Sequence, residues 1–143
     1  EREEEMLIMR RGDSSHANQA SPVAKPEQII AAQNLVDQIH LDEKVENYIL
    51  DIVFATRNPE KYGLKELKNK IRYGASPRAS IYLVKAAKAH AFLQNRAYVV
   101  PEDIRAIGYE VLRHRVMISF EAEADEQTSD DIIKLIFGHF EVP

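Results

Sequence analysis

The 143-residue chain is expected to fold as a mainly α-helical bundle of four to six helices with a short two-stranded β ribbon. Three observations predict this. Apolar residues recur at helical spacing from residue 26 onward, with helix-start chemistry ahead of several runs. Only 71–73 and 116–120 have the clustered or alternating pattern of short strands. Hydrophobic residues make up 45% of the chain and charged residues 29%, which gives enough apolar surface for one compact core.

Taken in order, Glu1, Glu3, Glu4 and Glu5 precede Met6, Leu7, Ile8 and Met9, and Arg10 and Arg11 follow. Acids first and bases last suit a helix macrodipole. Residues 12–25 are rich in Gly, Ser, Asn, Ala and Pro without apolar periodicity, so they read as a linker at a domain boundary. Ile29, Ala32, Val36 and Ile39 then form one stripe of an amphipathic helix, expected to face the core. Asp42 is placed to cap the next helix, whose buried face is Val45, Tyr48, Ile49, Ile52, Val53 and Thr56; Asn58-Pro59 stops it. Residues 61–70 form a charged connector with one short helix around Leu64 and Leu67, and Ile71-Arg72-Tyr73 is a brief strand.

The most informative stretch is Gly74-Ala75-Ser76-Pro77-Arg78-Ala79. Ser76 is a preferred N-cap, and Pro77 suits the first helical position, where its missing N–H is not needed. The helix is expected to run to about Gln94 with Leu83, Val84, Ala87 and Ala91 inward and Arg78, Lys85 and Lys88 on one outward arc. Arg78 in the first turn is energetically odd. A helix N-terminus favours anions, so a cation there costs a few tenths of a kcal/mol unless something negative joins it. An anion held jointly by the helix start and Arg78 would remove the conflict.

Val100-Pro101-Glu102-Asp103 starts another helix, which ends near Gly108 or continues to Arg115. Val116, Ile118 and Phe120 alternate with Met117 and Ser119, as in a strand that pairs with 71–73. Residues 121–131 hold six acids and no base, and read as a solvated loop leading to a cap at Thr128 or Ser129. The last helix is expected to bury Ile132, Ile133, Leu135, Ile136, Phe137 and Phe140.

Charge narrows the function. The net charge of −4 conceals a basic middle: residues 57–115 carry 13 Lys and Arg against 5 Asp and Glu, whereas the flanks hold 6 and 18. Solvated helix surface accounts for many of these bases; an anion-facing middle, with phosphate as the anion, is the functional alternative. No run approaches the roughly 18 apolar residues of a membrane span, and the absence of cysteine removes disulfides, thiolate zinc sites and thiol nucleophiles. There is no G-x-x-x-x-G-K-[ST] and no apolar strand ending in Asp-Glu, so a P-loop and its magnesium carboxylate cannot be built here. His16, His40, His90, His114 and His139 lack metal-ligand spacing and read as surface or packing residues. Nothing in the chain makes a self-contained enzyme. Two further possibilities are a helical nucleic-acid module using Lys61, Lys65, Lys68, Lys70 and Arg72, in the basic segment 61–72, and an interface built from Leu64, Leu67 and the acidic loop 121–131. Net acidity and the lack of interleaved aromatics weigh against nucleic acid.

The stretch around Arg78 resembles the sensor-2 motif in the C-terminal lid of MoxR-type AAA+ ATPases, relatives of the magnesium-chelatase ATPase subunit. Residues 48–57 (YILDIVFATR), 98–104 (YVVPEDI) and 111–116 (VLRHRV) are similar to the second lid helix, the segment after the sensor helix and the helix that follows. The resemblance implies that residues 1–11 end the ATPase core, 12–25 link, and 26–143 are the lid. It implies that Arg78 is the cofactor-binding and catalytic residue, contacting the γ-phosphate of ATP in its own subunit or a neighbour's and linking hydrolysis to lid movement. ATP and magnesium belong to the complete protein; the isolated piece is expected neither to hydrolyse ATP nor to bind it tightly. The family further implies a cytoplasmic, chaperone-like ATP hydrolase that matures or remodels protein complexes, with no membrane. Its expected partners are its own core, neighbouring subunits of a homo-oligomeric ring, taken as a hexamer, and a protein with a von Willebrand A-type domain.

Overall fold

The computed structural model describes residues 2–12 and 21–143. Its elements are α1 (Arg2–Gly12), α2 (Pro26–Asp37), α3 (Glu43–Arg57), two 3-10 turns (Pro59–Tyr62 and Lys65–Leu67), β1 (Ile71–Tyr73), α4 (Pro77–Leu93), α5 (Pro101–Leu112), β2 (Met117–Ile118), α6 (Phe120–Ala124) and α7 (Ser129–His139). The mainly helical expectation and the ribbon are both present. The described residues hold seven helices, above the expected four to six. Two compact units divide within α2, Glu1–Ala31 and Ala32–Pro143. In the first, α1 has Glu3, Glu4 and Glu5 in its opening turn, and Met6, Leu7, Ile8 and Met9 are exposed. Of the stretch read as a linker, Gly12 belongs to α1, 13–20 lie outside the described residues, and 21–25 are non-helical.

The second unit packs α3, α4, α5 and α7 around one core. Asp42 accepts the Lys44 N–H at 2.9 Å and starts α3, whose Val45, Tyr48, Ile49, Ile52, Val53 and Thr56 are buried as their spacing predicts. In α4, Ala79, Leu83, Ala87 and Ala91 are fully buried, small enough on average to bring α5 close. Gly108 of α5 meets α7: a Cβ there would lie 2.3 Å from the Phe137 ring. Arg105 joins three helices, donating from Nε to the Tyr48 hydroxyl at 3.0 Å and from Nη2 to the Phe137 carbonyl at 2.9 Å. The second interaction satisfies a carbonyl in the last turn of α7, where helix acceptors lack partners. In the ribbon, antiparallel β1 and β2 place Ile71 opposite Ile118 and Tyr73 opposite Met117, with an irregularity between.

Several expectations need correction. No residue of α2 is buried: Ile29 and Leu35 are more than half exposed, and of the proposed stripe only Ile39, beyond the helix end, enters the core. Periodicity identifies an apolar face without saying what covers it. Residues 120–124 are helix rather than strand and loop, because Ser119 turns the chain by accepting the Ala122 N–H at 3.2 Å and donating to the Asn69 carbonyl. Phe120 consequently lies exposed at the start of α6. Leu64 and Leu67 are 2% and 1% exposed, so they belong to the core and are not available to an interface. Leu135 faces outward, Phe140 lies past the end of α7 and is half-buried, and α5 continues beyond Gly108 to Leu112.

One charge is fully buried. The Asp103 carboxylate accepts a fork from Arg96 Nη1 and Nη2 at 2.8 and 2.5 Å and the Val100 N–H at 2.9 Å; His90 Nδ1 lies 2.6 Å away. Burial pushes this carboxyl up, but the bonds from Arg96, Val100 and His90 outweigh it and hold the group at about 2. Because the folded value lies below the unfolded one, the stabilisation from this group is complete above about pH 4 and is lost as pH falls towards 2. Acid titration of helicity is expected to show that component in the wild type and not in Asp103→Asn; identical acid profiles would refute the assignment.

Candidate functional site

The start of α4 is held against the end of α3 by three features. Thr56 is buried, and its Oγ1 accepts the Ala75 N–H at 2.9 Å while donating to the Val53 carbonyl at 2.6 Å. Arg57 Nε donates to the Ala75 carbonyl at 2.6 Å, with its guanidinium 4.8 Å from the Phe54 ring centroid. Gly74 lets the backbones touch: a Cβ there would sit 2.3 Å from the Thr56 carbonyl oxygen and 2.7 Å from the Arg57 nitrogen. Those are main-chain atoms and cannot rotate aside. Gly74→Ala is therefore expected to lower stability by about 2–3 kcal/mol, as overpacking does, read from the denaturant midpoint; an unchanged midpoint would show that the seam is loose.

Ser76 is extended (φ −74°, ψ 167°) and Pro77 occupies the first helical position, as the sequence predicts, but the Ser76 side chain makes no capping bond. The first turn of α4 also contains no acid. Arg78 follows on the exposed surface, with no hydrogen bond or ion pair among the described residues. An exposed guanidinium beside an uncapped helix start is the arrangement that receives a phosphate or carboxylate oxygen. The scaffold beneath it was only partly foreseen. The spacing that puts Thr56 on the α3 core face says nothing of its bond to Ala75, and the joint action of Thr56, Arg57 and Gly74 spans 18 residues or more of sequence and has no local signal.

Several, though not all, of the other bases of the middle segment are occupied. Lys68 pairs with Glu60 at 2.9 Å, Lys70 with Asp125 and Glu121, Arg113 with Asp130 and Glu110, and Lys88 donates to the Asp37 carbonyl at 3.1 Å. Two of the five bases considered for nucleic acid, and three acids of the 121–131 segment, are thus committed within the fold. Among the described residues no helix is long and apolar enough to cross a membrane.

The fold and this helix start define a class: residues 66–136 match the AAA lid domain family. The chain is 37% identical over 116 residues to Chaperone MoxR1 of Mycobacterium tuberculosis, covering 81% of this chain and 29% of that protein. It is 33% identical over 141 residues to the uncharacterized protein YeaC of Bacillus subtilis, covering 98% and 41%. A crystal structure from Cytophaga hutchinsonii, described with reserve as an ATPase, superposes with a TM-score of 0.88 at 38% identity, covering all of this chain and 44% of that one. The chain belongs to the MoxR-type AAA+ ATPases as their lid domain. It spans less than half the length of the relatives it matches.

Proposed function

We propose that residues 26–143 act as the sensor-2 lid of an ATP hydrolase, in which Arg78 contacts the terminal phosphate and couples its presence or loss to movement of the lid. Residues 1–11 would then close the ATPase core and 12–25 would link it to the lid. The observation that carries this is Arg78 itself, a cation without an acceptor among the described residues, on a helix start fixed by Gly74, Thr56 and Arg57. The group fits a phosphate: an unpaired guanidinium offers a planar fork, and the uncapped first turn adds positive potential. When bound, ATP with its magnesium supplies the bond that is hydrolysed; the chain's own contribution is to hold Arg78 in place and to carry its displacement into α3 and α4.

The complete protein is read as a cytoplasmic chaperone-like ATPase working in a ring of copies, a hexamer, on a client complex beside a von Willebrand A-type partner; kinship with Chaperone MoxR1 supports the chaperone part of this reading. Steady-state ATP hydrolysis by the complete protein and its Arg78→Ala variant tests the site. Equal rates would remove Arg78 from the chemistry and leave the lid assignment standing.

A further inference from the structure

We infer that Arg115 is a second guanidinium of the phosphate site headed by Arg78, brought to it across the ring of Tyr82. This rests on the assignment of Arg78 proposed above. Arg78 and Tyr82 are one turn apart on α4 and therefore on one face of it. Helical side chains lean towards the N-terminus, which tilts Tyr82 back over the turn that carries Arg78. Arg115 enters from beyond the end of α5 and lays its guanidinium carbon 4.8 Å from the Tyr82 ring centroid. Its Nε is buried and has no acceptor among the described residues.

That state contrasts with three other arginines of this unit. Arg96 is forked on Asp103, Arg105 donates to Tyr48 and Phe137, and Arg113 is forked on Asp130. A half-buried guanidinium with an unmade N–H bond has given up water and gained no acceptor, a cost that the aromatic face offsets only in part. Tyr82 is itself about half exposed, so the ring on which Arg115 lies reaches the surface one helical turn from Arg78. An anion with several oxygens, lodged between the two guanidinium forks, would supply the missing acceptor; the terminal phosphate of a nucleoside triphosphate has that form and a charge that matches two cations. Arg115 is thus expected to bind the phosphate that distinguishes ATP from ADP.

The test uses the complete ATPase. Affinities for ADP and for adenylyl imidodiphosphate, a non-hydrolysable ATP analogue, are measured by calorimetry for wild type, Arg115→Gln, Arg115→Lys and Arg78→Ala, with thermal melting alongside. Arg115→Gln is expected to lose about tenfold in affinity for the analogue, the worth of one charge-assisted contact, while ADP affinity and melting stay put. Arg115→Lys should recover part of the loss. Unchanged analogue affinity in Arg115→Gln, or equal losses for both nucleotides together with a lower melting temperature, would overturn the inference and make Arg115 a packing residue. If Arg78→Ala loses its preference for the analogue and Arg115→Gln keeps it, only Arg115 fails; if neither loses it, the phosphate site itself fails. Should Arg115→Gln not fold, Tyr82→Leu removes the ring that carries Arg115 and is expected to give the same selective loss, and intact analogue affinity there would equally overturn it.

Discussion

If the complete protein hydrolyses ATP as proposed, Arg78→Ala is expected to cut its turnover about a hundredfold while leaving the melting temperature within about 2 °C of wild type. The two halves have separate causes. Arg78 is exposed and has no side-chain partner among the described residues, so its removal breaks no ion pair there and opens no cavity, and surface charges of this kind contribute little to stability. Catalytically, a preorganised cation on a transferring phosphoryl group acts where charge rearranges, and donors of that type are worth 10²-fold or more. Arg78→Lys is the finer probe. A lysine keeps the charge and loses the fork, so partial activity would show that charge dominates, and activity as low as that of alanine would show that the planar geometry does. A parallel drop in turnover and melting would mean that Arg78 supports the fold, contrary to its exposure.

Asp103→Ala is expected to lower stability by about 3 kcal/mol and the melting temperature by about 10 °C. The carboxylate is 0% exposed and serves three donors at once, on the end of α4, on the turn after it and at the first turn of α5. Removing it strands Arg96 and the Val100 N–H, the costly half of a broken buried pair. Asp103→Asn keeps one acceptor and should fall between. A loss below about 1 kcal/mol for the alanine variant, read from urea denaturation, would mean that water replaces the carboxylate without penalty.

The difference between these two residues explains what was legible in the sequence. Arg78 could be found because its signal is local: Ser76 and Pro77 announce a helix, and a cation in the next position contradicts the helix dipole. The start of the helix at Pro77 and the stop at Asn58-Pro59 were likewise written in neighbouring residues, whereas of the strand expected over 116–120 only Met117 and Ile118 pair with 71–73. Asp103 was readable only as a first-turn acid and His90 only as surface or packing, since what makes them a hub is burial together with Arg96, and burial is decided by how α4 and α5 meet. The apolar stripe of α2 failed in the opposite direction: its pattern was real but its cover was assumed. Arg115 gave no sequence signal beyond its place in a basic segment, because a missing acceptor is visible only once every neighbour has been placed.

The seam between Gly74 and the end of α3 has a mechanical consequence. A loop with slack would absorb a small displacement of Arg78 by bending, and the motion would end there. Here the joint has no slack: main chain lies on main chain at Gly74, and Ala75 is held on one side by Thr56 and on the other by Arg57. If Arg78 senses a phosphate as proposed, a push at the tip would be delivered to α3 and α4 as rotation of one rigid body, much as a key turns a lock only if its shaft does not twist. Stiffness at residues 56–57 and 74–75, far smaller in mass than the helices they join, would set how much of the stroke begun by a phosphate survives to reach the rest of the lid.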